Sequence, residues 1–200
     1  MHRSPKLFRK IFPARVWEIS ASDNTIYLTF DDGPNPEITP WVLDFLKENN
    51  IKATFFCVGA NVAKYPDIFQ RILDEGHRVG NHTMNHQNGM KCSQFEYLKS
   101  ITEANQLIQS DLFRPPYGRM NRKLDGIISK RFKIIMWSWL AKDYDQQYPI
   151  QKIFDSLEDI KPGDILVFHD NQKMEVRLKS ILPTSIKILQ EKGFNFELIA

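Results

Sequence analysis

The stretch Thr29-Phe30-Asp31-Asp32-Gly33-Pro34 decides how the rest of the sequence is interpreted. The apolar, alternating segment before the two aspartates predicts a strand, and Gly33-Pro34 predicts the turn that ends it. Adjacent carboxylates repel each other, so a pair at the end of a strand favours a cation or a proton between them. An Asp-Asp-Gly-Pro sequence is also compatible with a simple turn.

Two histidines further along the chain supply ligands for such a cation. His82 and His86 are four residues apart, which puts both rings on one face of a helical turn. An oxygen ligand and two imidazoles suit zinc with an open coordination position, the pattern of a catalytic site. The His-x-x-x-His spacing alone is usually coincidence. Together with the aspartates, it leads us to expect that Asp32, His82 and His86 hold a metal and that Asp31 does chemistry beside it.

Strand-like and helix-like segments alternate from residue 25 to the end of the chain. The predicted strands are 25–30, 52–58, 77–80, 112–113, 133–139, 165–168 and 194–199. The predicted helices are 35–49, 67–74, 94–109, 121–131, 149–160 and 174–191. Such alternation predicts an α/β fold with a largely parallel sheet, either an open doubly wound sheet or a barrel. A full eight-unit barrel typically takes about 250 residues, so a barrel here would be incomplete.

The unusual polar residues fall at the carboxyl ends of these predicted strands. Asp31 and Asp32 follow the first strand, the two histidines the third, Arg114 the fourth, Asp143 the fifth, and His169 ends the sixth. Active sites of parallel α/β proteins gather at that edge. Several separate strand ends meet more easily in a closed barrel than in an open sheet, so we favour a distorted TIM-like barrel with about seven parallel strands.

Two of these residues have an ordinary interpretation beside the functional one. His169 ends an apolar strand and would be a packed ring, but the near-neutral pKa of histidine also suits a general acid. Arg114 precedes two prolines and would be a surface residue, or a cation that pairs with a carboxylate at this edge and lowers its pKa.

The composition excludes several classes of function. The chain has 200 residues, most simply one domain, with 42% hydrophobic residues and a net charge of +3. That charge is too small and too scattered to indicate a nucleic-acid partner. No apolar run approaches the roughly 20 residues of a membrane span. The two cysteines give no sign of a disulfide framework.

Residues 1–24 form a basic, amphipathic extension before the predicted domain at 25–200. Its apolar residues recur at helical spacing, interrupted at Pro13. A membrane-surface helix would have this pattern, but we favour a segment that packs on its own domain. The N-terminus has no apolar core or cleavage site of a signal peptide. If Met1 is the true start, we expect a cytoplasmic protein, with peripheral membrane association through the basic N-terminus left open.

The motifs resemble those of the polysaccharide deacetylase family, also called the NodB homology domain or carbohydrate esterase family 4. The resemblance covers roughly residues 25–199. It rests on Thr29-Phe30-Asp31-Asp32-Gly33-Pro34, His82-Thr83-Met84-Asn85-His86, Arg114-Pro115-Pro116-Tyr117, the segment at Asp143, and Val167-Phe168-His169. The resemblance implies that Asp31 is the catalytic base, that Asp32, His82 and His86 bind a divalent metal, and that Arg114 holds the base. It also implies a barrel of about seven strands.

Two motifs depart from the family pattern. The fourth usually reads Asp-x-x-Asp-Trp, and here Leu140 and Tyr144 replace its first and last residues while Asp143 remains as a partner for Arg114 or His169. The fifth usually begins with leucine, and here Val167 shortens one wall of the acetyl-methyl pocket. The remaining candidate substrate contacts are Tyr117, whose backbone N–H would help to bind the oxyanion, its neighbour Pro116, and the aromatic residues Trp137, Trp139 and Tyr144, which could stack on sugar rings.

The resemblance implies removal of acetyl groups from N-acetylated sugars, with acetate and a free amino sugar as products. The candidate substrates are chitooligosaccharides, peptidoglycan and related glycans. The ligand set favours Zn²⁺, and Co²⁺ or Ni²⁺ would fit similar ligands. Two alternatives stay open: an O-acetyl esterase or another amidase that uses the same site, and a non-catalytic carbohydrate-binding relative.

Overall fold

Short strands and helices alternate through the described part of the chain, residues 2–21 and 23–200 of this computed structural model. The strands are β1 (Arg15–Val16), β2 (Thr25–Asp31), β3 (Thr54–Cys57), β4 (Arg78–Asn81), β5 (Leu112–Phe113), β6 (Lys133–Ile135), β7 (Trp139–Leu140), β8 (Ile165–His169) and β9 (Asn195–Phe196). The helices are α1 (Lys6–Ile11), α2 (Thr39–Glu48), α3 (Gly59–Lys64), α4 (Pro66–Asp74), α5 (Gln94–Ile108), α6 (Asp125–Ile128), α7 (Ile150–Asp155) and α8 (Glu175–Glu191).

The strands form one curled parallel sheet in the order β1-β6-β5-β4-β3-β2-β8-β7, with β9 beside the start of β2. Residues 136–138 link β6 near one end of this order to β7 at the other end. Met136 N–H donates to Val16 on β1, and Ser138 N–H donates to Ile165 on β8. The fold is therefore α/β, a distorted TIM-like barrel, as the sequence predicts.

The central strand β2 aligns the ends of its neighbours. It is buried along its whole length, which is why it contains apolar and β-branched residues on both faces. In its register with β8, Asp31 lies opposite His169, and in its register with β3, Asp31 lies opposite Phe56. Arg114 N–H donates to Asn81 O across the β4–β5 pair, which places Arg114 beside His82. Strand pairing alone thus brings the polar residues to one edge.

The helices pack on the outside of the sheet through apolar faces. The largest buried cluster joins β2, β3 and β8 to α2 and α8, with Leu43, Leu46, Leu182 and Leu189 among its fully buried residues. Helix α5 begins with a capping box in which Ser93 Oγ accepts from Glu96 N–H and the Glu96 carboxylate accepts from Ser93 N–H. No helix in the described residues combines the length and the apolar character needed to cross a bilayer.

The structure corrects several element boundaries. The predicted strand 133–139 is two strands, because residues 136–138 change pairing partner from β1 to β8. Helix α3 and strand β1 were not predicted. Helix α2 begins at Thr39 rather than after Asn35, although the Asn35 side chain does accept from the N–H groups of Glu37 and Ile38. The predicted helix 121–131 is a 3₁₀ turn followed by the single-turn α6.

The N-terminal extension contacts the barrel at several points within residues 2–21. Strand β1 pairs with β6. Arg3 forms an ion pair with Asp164 at 2.8 Å, and Ser4 N–H donates to Ser138 O. Residues 1 and 22 of the predicted extension lie outside the described residues.

Candidate active site

Strained loops surround one end of the barrel, at the carboxyl ends of β2, β4 and β5. Asp32, Thr83, His86 and Tyr117 all have a positive φ there, between 52° and 86°. Residues other than glycine seldom adopt this conformation, and it is a genuine outlier for β-branched Thr83. Backbone strain of this kind clusters at functional sites, where the surrounding structure enforces it.

Asp32, His82 and His86 come together as the sequence predicts. One donor atom from each lies within 4.8 Å of the others. His86 Nε2 is 3.0 Å from Asp32 Oδ1, and His82 Nε2 is 3.7 Å from the same oxygen. Zinc bonds of about 2.0–2.2 Å at tetrahedral angles would place such donors about 3.3 Å apart.

The protonation of this cluster also fits a metal. His82 Nδ1 is 2.8 Å from the Arg114 carbonyl oxygen, which can only accept, so Nδ1 carries the proton and Nε2 presents its lone pair to Asp32. Burial, only partly opposed by Asp31, lowers the pKa of His82 to about 4 and keeps the ring neutral. Burial would raise the pKa of Asp32, but His86 and the charge on His169 outweigh it and hold that pKa well below its usual range.

One atom tests whether these residues suit a cation. Asp32 Oδ1 is buried and has no hydrogen-bond partner among the described residues, and the nearby His86 nitrogen does not approach it in hydrogen-bonding geometry. A buried, ionised oxygen without a partner costs substantial free energy. A divalent ion between this oxygen and two imidazole lone pairs would remove that cost, so the donor set fits a metal.

Asp31 is held by one oxygen. Arg114 Nη1 donates to Asp31 Oδ1 at 2.6 Å and to Thr29 Oγ1 at 2.8 Å, while the rest of the fully buried guanidinium donates to the carbonyls of Ile135 and Met136. Asp31 lines the cleft, and Arg114 lies behind it. The predicted pairing of Arg114 with a carboxylate at this edge is confirmed in its geometry, and the second oxygen of Asp31 stays available.

Asp143 pairs with His169 and not with Arg114, and it orients the His169 ring. His169 Nδ1 is 2.6 Å from Asp143 Oδ1, and His169 N–H donates to Asp143 Oδ2 at 2.7 Å. Burial lowers the pKa of His169, but the ion pair with Asp143 and the charges of Asp32 and Asp31 outweigh burial and raise that pKa to about 10. The ring is therefore protonated at neutral pH, and its Nε2 is free to face the cleft. Asp143 is fully buried and acts on the ring rather than on a substrate.

Three supporting residues escaped the sequence analysis. Asn171 Nδ2 donates to Asp32 Oδ2 at 2.6 Å, and Asn61 Nδ2 donates to the Asp32 carbonyl oxygen at 2.8 Å. Buried Asp170 accepts from Gly33 N–H and Thr39 Oγ1. Burial, partly opposed by the Thr39 hydrogen bond, raises the pKa of Asp170 to about 8. Asparagines in polar loops carry no distinctive signal, although the His169-Asp170-Asn171 run after a predicted strand places two of the three at the correct edge.

The cleft above these residues has a volume of about 1120 Å³. Its lining includes the predicted substrate contacts Tyr117, Trp137, Tyr144 and Val167, and also Leu140. The ring centroids of Tyr117 and His86 lie 4.6 Å apart, and those of Tyr144 and His169 lie 5.8 Å apart with the two rings nearly perpendicular.

Two other predicted contacts do not line the cleft. Pro116 is buried below it, because the Arg114–Tyr117 turn exposes the tyrosine rather than the proline. Trp139 is fully buried in the core, where its Nε1 donates to Ser156, so Trp137 and Trp139 do not share a face. One continuous strand would put both tryptophans on the same face, but the break between β6 and β7 ends that alternation.

Comparison with known proteins places this geometry in a family. Residues 18–131 match the family model described as "Polysaccharide deacetylase". The chain belongs to the polysaccharide deacetylase family. The matched range contains the metal donors, Asp31 and Arg114, whereas Asp143 and His169 lie beyond it.

Two curated relatives of this polysaccharide deacetylase family member are named as deacetylases of peptidoglycan N-acetylglucosamine and of chitooligosaccharide. A peptidoglycan-N-acetylglucosamine deacetylase of Bacillus cereus is 31% identical over 189 residues, covering 90% of this chain and 89% of the relative. A chitooligosaccharide deacetylase of Bradyrhizobium is 35% identical over 154 residues, covering 73% and 70%.

Solved structures in the polysaccharide deacetylase family share the fold. The Bc1960 peptidoglycan N-acetylglucosamine deacetylase, in complex with 4-naphthalen-1-yl-N-oxidanyl-benzamide, superposes with a TM-score of 0.83 at 31% identity, covering 98% of this chain and 95% of that one. A carbohydrate esterase family 4 pseudoenzyme from Bacillus anthracis, BA3943, gives 0.82 at 25% identity, covering 94% and 68%. The fold is thus shared by a relative named as an enzyme and by one named as a pseudoenzyme. Only the residues of the site can distinguish an active family member from an inactive one.

Proposed function

We propose that this protein is a metal-dependent hydrolase that removes the acetyl group from N-acetylated sugars in a glycan and releases acetate. The observation that carries the proposal is Asp31, which Arg114 holds by one oxygen at 2.6 Å while its strand register places it opposite His169 and next to the metal donors. A base, an acid and a set of metal ligands therefore border one cleft.

A divalent ion, Zn²⁺ by the donor set of Asp32, His82 and His86, would supply a Lewis acid that polarises the acetyl carbonyl and acidifies a water molecule. The open oxygen of Asp31 takes a proton from the attacking water. Arg114 fixes the orientation of that carboxylate by donating to its other oxygen.

His169 completes the reaction on the leaving-group side. Its Nδ1–H is held by Asp143, so Nε2–H is the proton that it gives to the amine nitrogen as the carbon–nitrogen bond breaks. The Tyr117 N–H would donate to the developing oxyanion, and Leu140 and Val167 give the acetyl methyl an apolar wall. Asp31 gains one proton and His169 loses one, so transfer between them or through water restores both.

Acetate release tests this function directly. Purified protein is stripped with a chelator, reloaded with Zn²⁺, Co²⁺ or Ni²⁺, and incubated with N-acetylglucosamine oligomers and with peptidoglycan fragments. We expect acetate in proportion to the metal-loaded fraction and no acetate from stripped protein or from Asp31→Asn. Metal-loaded protein that releases no acetate from any of these substrates would contradict the proposal.

The same preparation separates the two alternatives. Faster turnover of small O-acetyl esters than of acetamides would favour an esterase. The departures from the family motifs at Leu140, Tyr144 and Val167 motivate this alternative. Tight glycan binding without product would favour a carbohydrate-binding relative.

A further inference from the structure

Three cationic side chains at the edge of the cleft have no role in the chemistry described above. Lys91, Arg119 and Lys173 all line the cleft and are exposed. None of them forms an ion pair or a side-chain hydrogen bond with the residues that the structure describes. The acidic residues of the cleft lining are Asp31 and Asp32, one held by Arg114 and the other among the metal donors. The mouth of the cleft therefore carries uncompensated positive charge.

The backbones that carry these cations are fixed rather than loose. Gly89 N–H donates to Arg119 O, which joins the loop of Lys91 to the loop of Arg119. A Cβ at Gly89 would lie 2.8 Å from the Tyr97 ring and 3.1 Å from Arg119 O, so the two loops touch closely. Lys173 N–H donates to Asn171 Oδ1, and Gln146 donates to Lys173 O.

The order of the strands places the cations on both sides of the reacting groups. Lys91 follows β4 and Arg119 follows β5, whereas Lys173 follows β8. Strand β2, which ends in Asp31, lies between these two groups in the sheet order β5-β4-β3-β2-β8. A glycan that crosses the cleft with its acetamide at Asp31 would meet positive charge on each flank.

We propose that these residues form two anion subsites that select a glycan bearing carboxylates on the sugars next to the deacetylated residue. This inference rests on the proposed function and names its substrate class. Cations at the edge of a cleft that have no partner in the protein raise the local concentration of an anionic ligand. A nucleotide-linked sugar carries its phosphates on one side only and would use one flank, so the two-sided arrangement favours an anionic oligosaccharide.

A matched pair of substrates tests the charge alone. The anionic probe is a peptide-free oligosaccharide of alternating N-acetylglucosamine and N-acetylmuramic acid, and the neutral probe is the same oligosaccharide after reduction of its carboxylates to alcohols. We expect kcat/KM to be about tenfold higher for the anionic probe at low salt, mostly through KM, because each exposed ion pair contributes modestly. The preference should fall below about twofold at 1 M salt, where the screening length is about 3 Å.

The variant Lys91→Gln/Arg119→Gln/Lys173→Gln should lose the preference and keep kcat on the neutral probe. Its control, Lys47→Gln/Lys130→Gln/Lys161→Gln, removes the same charge from exposed positions outside the cleft lining and should keep the preference. The double variant Lys91→Gln/Arg119→Gln and the single variant Lys173→Gln should each lose part of the preference for the anionic probe. A preference that survives the first triple variant, or falls equally in the control, would overturn the inference.

Binding separates a failure of this inference from a failure of the proposed function. Calorimetry on metal-stripped protein measures both probes without turnover. Equal affinities for the two probes would overturn the inference even if acetate is released. Charge-dependent binding with no acetate from any metal-loaded sample would support the subsites and count against the deacetylase. A diphosphate-linked N-acetylglucosamine that is turned over better than the anionic oligosaccharide, with one flank sufficient, would also overturn the inference.

Discussion

Two buried arginine–aspartate pairs in this molecule differ in how much of the carboxylate they occupy. Arg15 uses both oxygens of Asp125, with three hydrogen bonds of 2.8–3.2 Å. Arg114 donates to only one oxygen of Asp31, Oδ1, and its remaining hydrogen bonds go to Thr29 and two backbone carbonyls. A carboxylate with both oxygens bonded can only stabilise, whereas one with a free oxygen can still take a proton. The first pair ties the N-terminal extension to α6, and the second leaves one oxygen of Asp31 without a hydrogen bond beside the cleft.

Asp32 repeats the pattern of the half-occupied carboxylate. Asn171 holds Oδ2, and Oδ1 is left without a hydrogen bond among the described residues. The open oxygen of Asp31 and the open oxygen of Asp32 belong to adjacent residues at the end of β2. Both of these open oxygens therefore lie at the carboxyl end of the same strand, whereas the carboxylate of Asp125, away from the cleft, has none.

The largest expected effect tests the open oxygen of Asp31. Asp31→Asn keeps an acceptor for Arg114 but removes the base, so we expect kcat to fall by about 10²–10⁴. Metal content, measured by elemental analysis after dialysis, should stay at the wild-type level. A variant that retains more than a tenth of wild-type acetate release would show that Asp31 is not the base.

The next largest effect tests the carboxylate of Asp125, whose two oxygens both accept hydrogen bonds from Arg15. Asp125→Ala leaves Arg15 buried without its partner, and we expect the free energy of unfolding in urea to fall by about 3–5 kcal/mol. The kcat/KM of the folded protein should stay within about twofold of wild type. Asp111→Ala is the control, because its ion pair with Arg78 is exposed and should contribute about 1 kcal/mol or less. Equal losses in the two variants would remove the contrast between buried and exposed pairs.

A third buried pair, His169 with Asp143, differs from both because its cation can lose its charge. The folded-state pKa of His169 is about 10, above the free value of 6.5. Its stabilisation is thus complete below pH 6.5 and is lost as the pH rises through 10. Urea unfolding of metal-stripped protein at pH 6.5, 8 and 9.5 should show the difference between wild type and His169→Gln shrinking as the pH rises.

The control for this pH dependence of the stability difference is His77→Gln. Burial, with the charge of Lys52, lowers the pKa of His77 to about 4, so it does not titrate between pH 6.5 and 10. Its difference from wild type should change by less than about 0.5 kcal/mol over that range, because only the unfolded-state ring still titrates near pH 6.5. A His169→Gln difference that changes as little would mean that the ring is neutral in the folded protein.

The smallest effect tests the occupied oxygen of Asp32. Asn171→Ala frees that carboxylate to rotate, and we expect Zn²⁺ affinity, measured by competition with a chelator, to fall about tenfold. Asn121→Ala is a matched control, because Asn121 and Asn171 cap 3₁₀ turns in the same way, each accepting at 3.0 Å from the N–H of a lysine two residues on. Only Asn171 contacts Asp32. Equal affinities in the two variants would show that the Asn171 contact does not position the ligand.

The sequence by itself determined the alternating elements, the edge at which the polar residues gather and the three residues of the candidate metal-ligand cluster. These follow from local signals: periodicity, turn residues, and polar residues directly after apolar strands. It also placed Asp31, Arg114 and His169 at that edge, because strand pairing brings the residues at strand ends together regardless of the conformation of the loops.

Only the tertiary structure decided which oxygen of each carboxylate is occupied. It assigned Asp143 to His169, Asn171 and Asn61 to Asp32, and Arg15 to Asp125. It also separated Trp137 in the cleft from Trp139 in the core, because the chain changes pairing partner between β6 and β7. Hydrogen bonds between residues 26 to 139 positions apart depend on how the loops fold over the barrel, and no local pattern in the sequence encodes that geometry.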